Sequence, residues 1–235
     1  MLSPTLLFCP TGSDSMPYLK DGYLVLYNVG CASGWGFVLL ACIRHVMEGR
    51  NEPQALYSEV EQVLQVVQTA ALMEVVHALL GVVRSPWLTT LMQVASRIAL
   101  VWGFLWAVPS TQAQIGSTLC IASWACVEIP RYLFYAFGVM GRSPYVLFFL
   151  RYSLFFILYP TGITGEVLTM LAGLPDLKAQ GTIDVGPVPV PAYWVAVAIL
   201  AVYIPGSPFM YMNMVANRRN AFKKRNAGAT KKKTA

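Results

Sequence analysis

The sequence is poor in charge and in histidine, and both shortages narrow the classes of protein that fit it. Charged residues make up 12% of the 235 residues, whereas 56% are hydrophobic and the mean hydropathy is +0.55. Soluble domains carry about 25% charged residues. The composition therefore argues against an ordinary soluble domain, a disordered chain and a nucleic-acid-binding protein, and it predicts an integral membrane protein.

Residues that build metal and phosphate sites are also scarce. Two histidines, His45 and His77, are too few for the iron-binding histidine boxes of membrane desaturases or for the histidine cluster of condensing elongases. The five cysteines are odd in number and form no C-x-x-C pair, which argues against a disulfide framework or a zinc site. No phosphate-binding glycine loop or G-x-S-x-G elbow occurs, and Cys126 and Arg131 are one residue too close for a tyrosine-phosphatase loop.

Basic residues are concentrated near one end of the chain. Eight of the 17 lysines and arginines lie in 218–233, and the rest of the chain has a net charge of −2, because its nine basic residues face 11 acidic ones. We interpret 1–20 as a cytosolic segment, 21–216 as a transmembrane domain and 217–235 as a basic cytosolic tail. The first twenty residues lack the basic start, apolar block and cleavage site of a signal peptide.

Long apolar stretches define the predicted fold class. A spanning helix needs about 20 mainly apolar residues. The sequence predicts an all-α polytopic membrane protein, a bundle of six transmembrane helices. The six spans lie at about 22–43, 62–83, 88–108, 116–139, 145–171 and 192–215.

The segments between these spans favour connections. The segments 84–86, 109–114 and 141–144 are short enough for turns between antiparallel spans, and 173–191, with four prolines, predicts an extended non-helical loop. Segment 51–61 is either a short interfacial helix or an extension of the second span. Pro205 and Gly206 are expected to bend the sixth span.

Basic residues also predict orientation, because short loops rich in lysine and arginine face the cytosol. One side carries Lys20, Arg84, Arg142 and the basic tail, so both termini are expected in the cytosol. Lys232 and Lys233 are fourth and third from the end, which resembles the dilysine retrieval signal of endoplasmic reticulum membrane proteins. We therefore expect a multi-pass protein of that membrane; a tail attracted to anionic lipid is the alternative.

Six charged side chains fall within or at the edges of the spans. They are Glu74, Arg97, Glu128, Arg131, Arg151 and Glu166. A charge at the bilayer centre costs about 2.5–3.5 kcal/mol. Since three are negative and three positive, we expect an internal polar network between helices; the alternative is that some of them lie at the membrane interface and reach water.

Helical spacing groups some of these side chains in pairs. Glu128 and Arg131 share a helix face and are interpreted as a structural clamp, and Gln93 shares a face with Arg97. Glu74 and His77 also share a face, and for them a structural and a functional role are equally favoured. His77 is not expected to bind a metal.

The fifth span combines a tyrosine, a proline, two glycines and a glutamate. Tyr152, Tyr159 and Glu166 recur every seven residues, which predicts that they share one stripe of a helix. Pro160 and the two glycines that follow either distort this helix or let another backbone approach it. A carboxyl group in such surroundings suits general acid–base chemistry, although a proton-relay or transport glutamate fits the same pattern.

This segment resembles the signature of the 3-hydroxyacyl-CoA dehydratases of very-long-chain fatty acid elongation, also called protein-tyrosine-phosphatase-like proteins. The family pattern is an arginine-tyrosine pair, an apolar run and then L-Y-P-x-G-x-x-x-E, which Arg151, Tyr152 and the stretch 158–166 reproduce. The similarity covers about residues 18–172, with Met73 and Pro130 as departures. Its further matches are Tyr27, Asn28, Trp35, Gln68, Thr69, Glu74, Val75, His77, Gly81, Ser85, Pro86, Gln93, Val94, Ser96, Arg97, Trp102, Trp124, Glu128, Arg131, Tyr132 and Tyr135.

The resemblance implies loss of water from a (3R)-3-hydroxyacyl-CoA to give a trans-2-enoyl-CoA, without a metal or redox cofactor. By position it makes Tyr159 and Glu166 the catalytic pair. Glu166 is expected to take the α-proton and Tyr159 to assist departure of the hydroxyl group, with the reverse assignment open. Possible supporting or substrate-binding residues are Glu74, His77, Gln93, Arg97, Glu128, Arg131, Arg151 and Tyr152.

The expected partners are the acyl-CoA substrate, membrane lipid, and the condensing enzyme and reductases of the elongation cycle, with no nucleic acid. Two other functions stay open. Loss of Tyr159 or Glu166 would favour a non-catalytic scaffold homologue of the elongase complex, but both are present. An internal repeat would favour a small transporter, and none is found.

One expectation conflicts with this function. If the fifth span begins at Tyr145 on the cytosolic side, Glu166 lies about 30 Å further along the helix. The charged CoA head belongs in the cytosol, however. A later helix start, a long channel and a deeply threaded thioester are the three open explanations.

Overall fold

The computed structural model describes residues 17–50, 52–83, 87–185 and 188–233. Most of the predicted segment 1–20, the turn at 84–86 and the last two residues of the dilysine pattern lie outside them. The helices are α1 Pro17–Met47, α2 Pro53–Ala70, α3 Leu72–Leu79, α4 Trp87–Leu100, α5 Ile115–Val139, α6 Tyr145–Ser153, α7 Phe155–Gln180 and α8 Ala192–Lys233. A π-helix, Val101–Trp106, extends α4, and a single 3-10 turn, Pro109–Thr111, precedes α5.

The fold is that of an all-α polytopic membrane protein, as predicted. Five helical stretches are long and apolar enough to cross a membrane: Tyr18–Met47, Pro53–Leu79, Trp87–Trp106, Phe155–Gln180 and Ala192–Ala227. The fourth predicted span forms α5, which has 25 residues but is not among these five. The number of six spans therefore stays a prediction.

Helix α5 lies at the centre of the bundle, packed between α1 and α7. The ring of Tyr27 on α1 contacts that of Tyr132 on α5. Trp35, Ile121 and Ala125 are almost fully buried in the core that α5 shares with its neighbours. This central position explains why α5 carries buried charge rather than a lipid-facing apolar surface.

The fifth predicted span is two helices. Helix α6 ends at Ser153 and α7 begins at Phe155, so Leu154 separates them. The break lies on the N-terminal side of Pro160, the side on which a proline disturbs the preceding turn. Consequently Glu166 lies 11 residues into α7 and about 16 Å along it, near the middle of that apolar helix. This geometry favours the later helix start among the three explanations of its depth.

The structure corrects one predicted connection and decides between the two interpretations of another. The loop prediction for 173–191 is wrong in its first half, because α7 accommodates Pro175 and continues to Gln180. The rest forms a two-stranded antiparallel hairpin, β1 Thr182–Val185 and β2 Val188–Pro191. Segment 51–61 extends the second span, since α2 begins at Pro53, a favoured first helical residue.

Helix α8 is continuous from Ala192 to Lys233, through Pro205 and Pro208. It packs against α7 and, near its end, against α6. The predicted basic tail, 217–235, is thus helical over most of its length. The bend expected at Pro205 and Gly206 stays a prediction.

Candidate active site

Glu166 lies between three helices and has a partner for each carboxylate oxygen. Its side chain is buried, with 7% of its surface exposed. The indole N–H of Trp124 on α5 donates to one oxygen at 2.9 Å, and the hydroxyl of Tyr203 on α8 donates to the other at 2.7 Å. Two uncharged donors therefore fix the orientation of the carboxyl group without a counter-ion.

Glycine allows α5 and α7 to approach closely enough for this contact. A Cβ atom added at Gly165 would lie 2.6 Å from the backbone nitrogen of Cys120, and one added at Gly116 would lie 2.8 Å from the carbonyl oxygen of Gly165. Small residues at such positions bring helix backbones together within membranes. Of the two expectations for these glycines, close approach of a backbone is therefore the one observed at Gly165.

Tyr159 lies on the same face of α7 as Glu166, one heptad earlier. It is half-buried, and its hydroxyl donates to the carbonyl oxygen of Ser207 on α8 at 3.3 Å. Both side chains thus face α8, where Tyr203 and Ser207 are one turn apart. Seven residues of α-helix separate the two levels by about 10 Å.

The expected polar network exists and contains four of the six charged residues. Arg131 binds both carboxylate oxygens of Glu74, at 2.7 and 2.8 Å, and also Glu128 at 2.6 Å. Arg97 pairs with the other oxygen of Glu128. The Tyr132 hydroxyl donates to Glu74 at 2.6 Å. Two acids and two bases cancel here, which offsets the cost of burying them.

The ring of Trp124 connects this network with Glu166. The guanidinium of Arg97 lies 5.7 Å from the ring centre of Trp124, the residue whose indole N–H binds Glu166. The clamp predicted for Glu128 and Arg131 is therefore present, and it also holds the helix that carries Trp124. Pro130, within α5, leaves this clamp intact.

His77 is buried beside the network but outside it. A 2.8 Å hydrogen bond joins its ring to the hydroxyl of Tyr23, and the ring of Tyr27 contacts it edge-on. Glu74, on the same helix, points instead to Arg131. Within the described residues, no group of three or more histidine, cysteine or acidic side chains could hold a metal ion.

Three predicted supporting residues are not brought to Glu166. Gln93 is exposed on α4. Arg151 donates to the Tyr135 hydroxyl at 3.2 Å, and Tyr152 packs against Phe148. Because Leu154 separates α6 from α7, the prediction that Tyr152 shares one helical stripe with Tyr159 and Glu166 stays a prediction.

A groove between α4 and α8 is lined by Tyr203, the residue whose hydroxyl binds Glu166. It has a volume of about 290 Å³ and is almost entirely apolar, with Tyr203 at its wall; the lining residues are Ala95, Ser96, Ala99, Ile199, Val202 and Tyr203. A second cavity, of about 670 Å³, lies at the far end of α1 and contains none of the predicted site residues. Only the first therefore bears on Glu166.

Sequence reasoning missed Tyr203 and the role of Trp124. Trp124 was among the residues that match the family, but nothing in its spacing indicated that it binds Glu166. Tyr203 lies 37 residues after Glu166 and beyond the region of similarity. A tyrosine in the middle of an otherwise apolar span was the available signal, because buried tyrosine hydroxyls find partners.

These features define a class: a polytopic helical membrane protein with a buried carboxyl group, held by a tyrosine that lines an apolar groove. The chain belongs to the family described as protein tyrosine phosphatase-like protein, PTPLA, whose model matches residues 68–224. That span includes Glu74, the ionic network, Trp124, Glu166 and Tyr203.

Curated relatives cover most of the chain. The very-long-chain (3R)-3-hydroxyacyl-CoA dehydratase hpo-8 of Caenorhabditis elegans is 40% identical over 220 residues, 90% of this chain and 97% of its own. The dehydratase PASTICCINO 2B of Oryza sativa is 40% identical over 214 residues, 87% of this chain and 95% of its own. The human very-long-chain (3R)-3-hydroxyacyl-CoA dehydratase 2 is 34% identical over 209 residues, 86% and 81% of the two chains. No solved structure matches the chain.

Proposed function

We propose that this protein is a very-long-chain (3R)-3-hydroxyacyl-CoA dehydratase, a hydro-lyase that produces trans-2-enoyl-CoA. The names of its relatives support this activity. The observation that carries it is the geometry of Glu166, a buried carboxyl group with both oxygens held by uncharged donors, next to an apolar groove. Elimination from a fatty acyl thioester needs a positioned base for the α-proton, and an apolar groove suits the acyl chain.

The catalytic pair in this proposal is Tyr159 and Glu166. Glu166 takes the α-proton that the thioester carbonyl acidifies, and the electron pair of that C–H bond forms the double bond. The C–O bond at the 3-position breaks, and the departing hydroxyl group takes the proton of Tyr159 to leave as water. Passage of a proton from Glu166 back to Tyr159 restores both groups.

Trp124 and Tyr203 are positioning residues in this scheme. Each binds one oxygen of Glu166, so the carboxylate keeps one orientation when the substrate arrives. A base that is preorganised in this way loses little free energy to reorientation during the reaction. The buried network of Arg97, Glu128 and Arg131 then fixes α5, on which Trp124 lies.

The acyl chain lies in the groove between α4 and α8. The groove is almost entirely apolar, and Val202 at its wall is largely exposed, so a long chain extends from the site into lipid. Ala95 and Ala99 form one wall and Val202 the other. Small side chains on α4 keep the groove wide enough for an alkyl chain.

The cellular setting follows from this function. We place the protein in the endoplasmic reticulum membrane with both termini cytosolic, next to the condensing enzyme and reductases that supply and consume its acyl-CoA intermediates. The basic segment 218–233 supports this orientation, because basic segments stay on the cytosolic side.

Purified protein in neutral-lipid nanodiscs tests the activity. We expect (3R)-3-hydroxyacyl-CoA substrates to give enoyl-CoA, detected by mass spectrometry, and the (3S) isomers to give none. Several chain lengths are compared. A folded protein that converts no (3R) substrate at any length would contradict the proposal.

A further inference from the structure

Three arginines lie together at the end of the bundle that carries the basic segment. Arg151 lies on α6, and Arg218 and Arg225 lie on α8 seven residues apart, on one helix face. We call these arginines and the aromatic rings beneath them the arginine platform. Those rings are Tyr135, Tyr145, Phe148, Tyr152, Phe156 and Phe222.

Ring contacts tie the platform into one surface. The guanidinium of Arg225 lies 4.6 Å from the ring centre of Phe148, and that of Arg218 lies 4.6 Å from the ring centre of Phe222. The rings of Phe148 and Phe222 are 5.0 Å apart, and Phe148 is also 5.0 Å from Tyr152. Arg151 lies 5.7 Å from the ring centre of Tyr152. The aromatic rings therefore connect the three positive charges through one continuous set of contacts.

None of the three arginines forms a salt bridge with a carboxylate among the described side chains. Their hydrogen bonds go to uncharged groups: Arg151 to the Tyr135 hydroxyl, Arg218 to the Ser153 hydroxyl and Arg225 to Ser143. A guanidinium has five N–H donors in a planar fork that matches phosphate. Three oriented guanidiniums with donors to spare form a site for a multiply charged phosphate group.

We propose that the arginine platform binds the nucleotide phosphates of the CoA substrate. This rests on the proposed function, because it assigns the CoA head to one surface of the same enzyme. Such a subsite lets the charged head stay outside the apolar helices while the thioester enters between them.

The distances agree with this assignment. Arg218 binds the Ser153 hydroxyl just before α7 begins, and along α7 the levels of Tyr159 and Glu166 lie about 6 and 16 Å from Phe155, its first residue. The pantetheine arm contains about 12 bonds between its phosphate and its sulfur, as many as four extended residues, so it spans roughly 14 Å. Phosphates on the platform therefore put the thioester between Tyr159 and Glu166.

Kinetics with two thioesters of the same 3-hydroxyacyl chain test the subsite. One is the CoA thioester and the other is the pantetheine thioester, which has no nucleotide and no phosphate. In neutral-lipid nanodiscs we expect Arg151→Gln, Arg218→Gln and Arg225→Gln each to raise the KM for the CoA thioester about tenfold with kcat unchanged. The pantetheine thioester, which also reports correct folding, should show wild-type kinetics. Lys224→Gln, an exposed neighbour with the same loss of charge, should change neither.

Equal KM values for the two thioesters in the wild type, with no effect of the arginine variants, would overturn the subsite while leaving the dehydratase activity intact. Nanodiscs with added phosphatidylserine test whether the platform binds the phosphate of lipid headgroups instead. Variant effects that appear only with this lipid, and on both thioesters alike, would assign the platform to lipid headgroups and overturn the proposal.

Direct binding of coenzyme A separates failure of the subsite from failure of the proposed function. Equilibrium dialysis of wild-type protein should give saturable binding that Arg218→Gln weakens about tenfold and Lys224→Gln does not. This result would support the subsite even if neither thioester were converted. Binding that is unchanged in Arg218→Gln would contradict it.

Discussion

Tyr203 on α8 donates a 2.7 Å hydrogen bond to Glu166 on α7, and it is the only direct link from α8 to this carboxyl group among the described residues. The same tyrosine lines the apolar groove between α4 and α8. One side chain thus connects the proposed base with the space proposed for the acyl chain. Its position makes α8, the most lipid-exposed of the candidate spans, part of the site.

Removal of that hydroxyl should slow catalysis without preventing assembly. Tyr203→Phe leaves one Glu166 oxygen without its donor, so we expect kcat to fall about tenfold to a hundredfold while KM changes little. The measurement is steady-state dehydration of a (3R)-3-hydroxyacyl-CoA. Tyr193→Phe is the matched control, because it makes the same change on α8 away from Glu166. Equal kcat values for the two variants would contradict the positioning role.

We expect a methyl group added at the contact between α5 and α7 to destabilise the protein. Gly165→Ala puts a Cβ atom 2.6 Å from a backbone nitrogen, so the helices must separate. We expect a loss of about 1–3 kcal/mol in the free energy of unfolding. Gly138→Ala on α5, where a Cβ atom meets nothing within 4 Å, should be neutral or slightly stabilising. Unfolding in mixed detergent micelles measures both; equal stabilities would show that the contact is not tight.

The buried ionic network should be sensitive to loss of one partner. Arg131→Gln leaves Glu74 without its ion-pair partner and Glu128 with only Arg97, which should cost about 3–5 kcal/mol of stability. Arg50→Gln removes an arginine from an exposed pair with Glu48 and should cost less than about 1 kcal/mol. Unfolding in micelles compares them. A cost for Arg131→Gln no greater than that of Arg50→Gln would contradict the structural role of the network.

The groove should control chain length. Ala99→Leu fills part of the space beside Tyr203, so we expect the kcat/KM for very long acyl chains to fall about tenfold more than that for short chains. Ala201→Leu on the exposed surface of α8 is the control. The ratio of kcat/KM values across a series of chain lengths is the measurement. An unchanged ratio in Ala99→Leu would place the acyl chain elsewhere.

The sequence predicted the helical membrane fold, five of the spans and the internal ionic network, because hydropathy and charge scarcity act locally along each helix. It also indicated Glu128 and Arg131 as a clamp from their spacing alone. Pro160 indicated a distortion of the fifth span, but not that the helix would break at Leu154, six residues earlier. The sequence did not predict that 173–180 is helical, because Pro175 favours a loop. Within a bundle, however, neighbouring helices can support a proline inside a helix.

From the sequence, we could predict only those residues of the candidate site that lie within one segment. Tyr159 and Glu166 lie within a single motif, so their spacing and the family resemblance both indicate them. The partners of Glu166 come from α5 and α8, and which face of each helix meets α7 depends on packing such as that at Gly165. The aromatic support of Arg151 likewise depends on α6 being a separate helix.

The central claim, that Glu166 and Tyr159 jointly eliminate water, is tested most directly by the dehydration rates of Glu166→Gln and Tyr159→Phe at saturating (3R)-3-hydroxyacyl-CoA. Each change preserves shape and removes one proton-transfer group, so we predict losses of about 10²–10⁴-fold in kcat. The matched controls, Glu52→Gln and Tyr18→Phe at exposed positions, should keep wild-type rates. Folded Glu166→Gln or Tyr159→Phe protein with a wild-type rate would contradict the claim.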